Sequence, residues 1–125
     1  MSLQKILIVE DDNRIQRLIS MTLSEFKNEQ VIISNGLKAI EYIKENHEQL
    51  GIIFLDVGLE GVNGFEVLRT IRKDFGLQTP VVVVSAYVSK SDIETGVELG
   101  ADHYLVKPFN LRKLLEVCNN YLRSE

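Results

Sequence analysis

With Cys118 as its one cysteine in 125 residues, the chain cannot close an internal disulfide, which fits a reducing compartment. Cys118 falls in an apolar helical stripe and reads as a small core residue. No apolar run approaches the roughly 18 residues that a membrane-spanning helix needs, so no membrane span is expected. A secretory signal is not expected either: the basic start is thin, and the short apolar stretch Ile6–Val9 runs directly into acid. A cytoplasmic location follows as an expectation. Basic residues are in deficit, 14 Lys and Arg against 18 Asp and Glu, for a net charge of −4. A nucleic-acid surface needs clustered Lys and Arg, so this segment is not expected to bind nucleic acid directly. Repeats, low-complexity tracts and linkers are also lacking, and residues 1–125 read as a single domain.

What is present is an alternation. Five short apolar runs read as strands: Ile6–Val9, Val31–Ile33, Ile52–Leu55, Val81–Val84 and Tyr104–Val106. Most are apolar at every position, as strands of a parallel sheet covered on both faces must be. Helical spacing separates them. Ile15, Leu18, Ile19, Thr22, Leu23 and Phe26 fall on one face, as do Leu37, Ile40 and Ile43. Phe65, Leu68, Ile71 and Phe75 make a third stripe, and Leu111, Leu114, Leu115, Cys118 and Leu122 a last one. Ser34 and Asn35 before the second helix, and Asn110 before the last, are suited to cap helix N-termini. The stretch Ser91–Leu99 predicts the weakest helix, because it has few apolar residues and Gly96 inside it. Five such alternations predict an α/β, doubly wound, five-stranded parallel sheet with helices on both faces. Right-handed crossovers place all strand carboxyl ends along one edge, where ligands bind in open sheets of this kind.

The residues that follow the strands are those of one chemistry. The first strand ends in Glu10-Asp11-Asp12, the third in Asp56, the fourth in Ser85-Ala86 and the fifth in Lys107-Pro108. Carboxylates gathered at one edge repel; at an effective dielectric near 20, two charges about 4 Å apart cost roughly 4 kcal/mol. The cluster therefore needs cations. Lys107 supplies one, and a hard divalent ion such as Mg²⁺ suits oxygen ligands better than zinc, which would favour His or thiolate. Together, a carboxylate, a Mg²⁺, a lysine and a hydroxyl suit phosphoryl transfer: Asp56 can carry an acyl phosphate, while Lys107 and Ser85 offer charge and a hydrogen bond to its oxygens. Each residue alone has a bland reading. Asp12 caps the next helix as readily as it binds metal, Asp56 alone is ordinary turn chemistry, and Lys107 before Pro108 is an ordinary surface turn. Their coincidence at four strand ends carries the signal.

The sequence resembles the receiver domains of two-component response regulators over essentially its whole length. The matching stretches are Lys5–Asp12, Asp56–Leu59 with Gly64-Phe65-Glu66, Val84-Ser85-Ala86, and Gly100–Phe109. The resemblance implies a flavodoxin-like fold and phosphotransfer to Asp56 from a sensor histidine kinase or phosphotransfer protein. The implied protein is a signalling domain that assists its own phosphorylation and dephosphorylation; it is not a turnover enzyme. The family's acidic pair falls on Glu10 and Asp11, with Asp11 binding Mg²⁺ directly and Glu10 through water. Gly58 gives the metal its backbone carbonyl, Ser85 is the switch hydroxyl, Lys107 the phosphate-binding lysine and Tyr104 the switch aromatic. Asp12 follows the pair and is not a family ligand. A cis peptide is implied at Lys107-Pro108, and a partner-binding face on the Ser91–Leu99 helix, the Tyr104 strand and the last helix.

The chain departs from the family where Pro usually stands four residues after the phosphoacceptor; here it is Glu60. The loop from Gly58 to Gly64 is expected to be looser for that reason. Tyr87 is expected to shield the phosphate that bare Gly58 leaves open. Three rivals read less well. A flavin-binding flavodoxin needs a phosphate cradle where this chain places three acids. An aspartyl-phosphate phosphatase needs a second Asp where Gly58 stands. A receiver that only binds partners would not keep Asp11, Asp56, Ser85 and Lys107 together. The kinase and the output are not legible in this sequence, whether the domain stands alone or belongs to a longer regulator.

Overall fold

A computed structural model of the chain describes residues 3–59, 61–86 and 89–122. The strands are β1 (Lys5–Val9), β2 (Gln30–Ile33), β3 (Leu50–Asp56), β4 (Val81–Ser85) and β5 (His103–Val106). The helices are α1 (Asn13–Thr22), α2 (Gly36–Asn46), α3 (Gly64–Arg69), α4 (Lys90–Glu98) and α5 (Leu111–Tyr121). All strand pairs are parallel, in the order β2-β1-β3-β4-β5. This is the flavodoxin-like doubly wound sheet, with its switch point between β1 and β3.

Burial explains the uninterrupted apolar runs. All seven residues of β3 and all five of β4 are buried. Successive side chains point to opposite faces of a strand, and the core splits accordingly. Leu7, Val9, Ile53, Leu55, Val81 and Val83 pack with Ala39 and Ile43 of α2 and Val67 and Leu68 of α3. Ile6, Ile8, Ile52, Phe54, Val82 and Val84 pack with Ile19 of α1 and Leu114, Val117 and Cys118 of α5. A one-residue slip of any central strand would exchange these two sets, so each register is firmly specified. Among the described residues no helix is long and apolar enough to cross a membrane.

Each helix starts on a side-chain cap. Asp12, Asn35, Asn63, Ser89 and Asn110 all accept backbone N–H bonds from the first turn that follows. Asn35 and Asn110 are the caps expected from the sequence, whereas Ser34 is not a cap. The helical stripes prove narrower than the spacing suggests: Leu18 (40% exposed), Leu37 (55%) and Leu111 (41%) face outward. Each lies at the margin of a stripe whose centre alone reaches the sheet. The first helix also stops early. After Thr22 the chain tightens into a 3₁₀ turn over Leu23–Glu25, and Phe26 is already extended.

The edge opposite the strand carboxyl ends is fastened by one side chain. Arg72 lies in a π-turn, Thr70–Asp74, that continues α3. Its guanidinium donates to the carbonyls of Gly100 (3.0 Å), Leu77 and Thr79 (both 2.8 Å) and to Asp102 Oδ2 (3.0 Å). Asp102 Oδ2 also accepts from the Val81 N–H at 2.8 Å. A fork of five donors suits this convergence of carbonyls, and an ammonium does not. Arg72→Ala removes the donor from three carbonyls and the ion-pair partner from Asp102, so we expect a loss of about 3 kcal/mol in urea unfolding. Arg72→Lys should recover only part of it, and full recovery would mean that charge alone makes the clamp.

Candidate functional site

The site forms where β1, β3, β4 and β5 end. β1 runs out at Val9 and delivers Glu10, a residue 1% exposed. Its N–H donates to Ile33 O of neighbouring β2, its carbonyl accepts from the Gln16 side chain, and Oε2 accepts from the Asp12 N–H at 3.1 Å. Asp56 ends β3, 5% exposed, with Oδ1 accepting from the Gly58 N–H at 3.1 Å. The loop beyond folds back on it: the Gly64 N–H donates to Val57 O at 2.9 Å. A Cβ on Gly64 would run into the Asp56 carbonyl oxygen, so only glycine permits this approach. Ser85 ends β4, fully buried. Its carbonyl accepts from the Lys107 N–H at 2.7 Å, which ties the tails of β4 and β5 together. The Lys107-Pro108 peptide is cis.

Carboxylate oxygens of Glu10, Asp11 and Asp56 lie within 4.8 Å of one another. Lys107 Nζ sits among them, 2.9 Å from Glu10 Oε1 and 3.5 Å from Asp56 Oδ2. The structure thus gathers four of the residues singled out in the sequence. Asp12 stands apart from the group: its Oδ1 caps α1 by accepting from the Arg14 N–H at 2.8 Å, and its Oδ2 lies 3.4 Å from the Arg14 guanidinium. Of the two roles open to Asp12 in the sequence, helix cap or metal ligand, the geometry shows the cap. Gly58 is exposed beside Asp56, and Tyr104 is half-buried on β5, three residues before Lys107. Glu60 and Tyr87 lie outside the described residues. Gly64 and Gln16 were not foreseen. The Asn63-Gly64-Phe65 run carried a signal for Gly64, a cap followed by a glycine that must pack closely.

Electrostatics explain the need for a cation. Burial pushes the Glu10 carboxyl up to about 7, with the Asp56 charge adding to it, while Lys107 and the Asp12 N–H pull the other way. Burial alone would lower Lys107, but its bonds to Glu10 and Asp56 and their charges outweigh that, so it is raised and stays cationic. Glu10 Oε1 has the Lys107 ammonium at 2.9 Å and no other hydrogen-bond donor among the described residues. A buried oxygen in that condition has lone-pair capacity to spare. Three carboxylates with no thiolate or imidazole among them suit a hard divalent cation.

The sequence matches the profile of the response regulator receiver domain over residues 6–119. It is 40% identical over 120 residues to the uncharacterized transcriptional regulatory protein YkoG of Bacillus subtilis, covering 95% of this chain and 51% of that protein. The chain spans about half the length of the curated relatives it matches. Among solved structures, the phosphorylated cyanobacterial phytochrome response regulator RcpA superposes with a TM-score of 0.84 at 30% identity, covering 96% of this chain and 94% of that one. The Mn²⁺-bound form of response regulator Rcp1 does so with a TM-score of 0.83 at 27% identity, covering 98% and 96%.

A carboxyl whose folded pKa is raised from 4.5 to about 7 favours folding below pH 4.5 and loses that contribution as the pH climbs through 7. In chelator, the protein should therefore lose on the order of 1 to 3 kcal/mol between pH 5 and pH 8. Glu10→Gln should flatten this slope and melt a few degrees higher than wild type at pH 8. Identical slopes for the two proteins in thermal melts across that range would place the strain elsewhere.

Proposed function

Since the chain belongs to the response regulator receiver family of two-component signalling, we propose that Asp56 is its phosphoacceptor and that a phosphohistidine on a sensor kinase or phosphotransfer protein is the donor. The observation that carries this reading is the convergence of Glu10, Asp11 and Asp56 around the Lys107 ammonium at one sheet edge. An Asp56 carboxylate oxygen bonds to phosphorus as the P–N bond breaks, and the electron pair returns to the donor imidazole. Lys107, already within reach of Asp56, offsets charge on the phosphoryl oxygens. Ser85, adjoining Lys107 through their backbone bond, donates its hydroxyl to one of them. Asp11, Asp56 and the Gly58 carbonyl would hold a Mg²⁺ directly, and Glu10 through water. When bound, that ion supplies the positive charge that lets a dianionic phosphoryl group approach three carboxylates.

On this reading the domain is a signalling module and not a turnover enzyme. It works in the cytoplasm, where ATP feeds the donor kinase, and passes its state on through the face made by α4, β5 and α5. Ser85 and Tyr104 act as its switch residues. The output lies in a partner or in a further domain such as the second half of the relatives. The receiver segment itself, net −4, does not bind nucleic acid directly.

Acetyl phosphate with Mg²⁺ should add one phosphoryl group to wild type by intact mass and none to Asp56→Asn; equal labelling of both would name a different nucleophile. Asp11→Ala should weaken Mg²⁺ binding about tenfold or more, since even residues outside the first ligand sphere reach that range. Unchanged affinity by titration calorimetry would move the metal off this pocket.

A further inference from the structure

α4 is a helix of nine residues in which Gly96 alone is buried. A glycine inside a helix weakens it, so a buried one calls for a reason. The reason lies across on β5. A Cβ placed on Gly96 would come 2.9 Å from Tyr104 Cδ2, 3.0 Å from Tyr104 Cε2 and 3.6 Å from Phe65 Cε1. The first is shorter than real carbon contacts and the second is tighter than nearly all of them, so the ring would have to move. The Tyr104 ring edge therefore occupies the space that any other residue at 96 would fill. Tyr104 itself is half-buried, on an edge strand, and packs with Phe65, Leu99 and Ala101 against the layer that includes α2 and α3.

We propose that Gly96 is a positioning residue for Tyr104: the bare helix backbone is the seat of the aromatic ring, and the position of α4 and the position of the ring determine each other. The inference rests on the reading of Asp56 as phosphoacceptor only for its consequence, that ring and helix transmit the phosphorylated state as one unit. A ring displaced from its seat frees α4 to settle closer to β5, and a helix that shifts evicts the ring. Neither motion requires a longer chain of contacts, because the two groups touch.

The seat is tested by a double-mutant cycle. In wild type, Gly96→Ala should lower the melting temperature although alanine is the better helix former, because the methyl meets the ring. In a Tyr104→Ala background the same change should raise it, because only the helix preference remains. Effects of the same sign and size in both backgrounds would overturn the seat. A signature that a merely structural glycine would not give comes from ¹⁹F-labelled tyrosine NMR. The Tyr104 resonance of Gly96→Ala should already be displaced without phosphorylation, and beryllofluoride with Mg²⁺ should move it less than in wild type. A Tyr104 signal at the wild-type position in Gly96→Ala would also overturn the proposal. Acetyl phosphate labelling separates the two ideas: a wild type that takes no phosphoryl group defeats the phosphoacceptor reading, whereas normal labelling with an additive cycle defeats the seat alone.

Discussion

The Lys107 ammonium is the charge on which the rest of the site depends. Glu10 and Asp56 are each almost wholly buried, and two desolvated carboxylates cannot share one edge without a counter-ion in contact. Lys107 reaches both, at 2.9 and 3.5 Å. It also comes last along the chain, after β5, the outermost strand. Its backbone N–H bonds to Ser85 only once β5 has docked on β4. The acidic cluster therefore gains its lysine only in the complete sheet, and the site is a product of the whole fold and not of any one motif.

Around this ion pair the backbone does most of the holding. Asp56 is braced by the Gly58 N–H and by a loop that returns to it at Gly64, and Glu10 by the Asp12 N–H. The two loops at the acidic edge thus use their own amides to orient the carboxylates, which leaves little side-chain freedom to lose when a ligand arrives. The raised Glu10 carboxyl shows the other side of this arrangement. A site that holds like charges together is a cost to the resting domain, of the kind that active sites commonly carry.

Much of this was legible in the sequence because parallel sheets write themselves in two plain signs: strands that are apolar at every position, and chemically loaded residues immediately after them. β3 and β4 are buried throughout, and Glu10, Asp11, Asp56, Ser85 and Lys107 follow or close their strands. What was not legible depends on distance and shape. Helical spacing gives the direction of a stripe but not its width, so Leu18, Leu37 and Leu111 were assigned inward and point outward. Asp12 sits beside two site residues, yet its carboxylate is claimed by the first turn of α1, a competition that residue type alone does not decide. Gly96 looked like a weakness of its helix, when the ring that needs the space lies eight residues away on β5. Arg72 bonds carbonyls as far as Gly100, and a carbonyl carries no residue-type signature.

The Arg72 clamp sets the geometry of any movement nearby. Gly100, whose carbonyl it holds, directly follows Leu99 at the carboxyl end of α4. That end of the helix is pinned, while its amino end, at Lys90, leads back towards Ser85 and the site. With that end fixed, any movement of α4 would be the tilt of a lever about a fulcrum and not the slide of a rod. Nine residues at 1.5 Å each make an arm of about 13 Å, so a tilt of roughly 5° carries the Lys90 end about 1 Å while the Gly100 end stays in place. Displacement would then be greatest at the amino end of α4 and vanish at the Arg72 clamp, so the strand registers that hold the domain together need not change for its surface to do so.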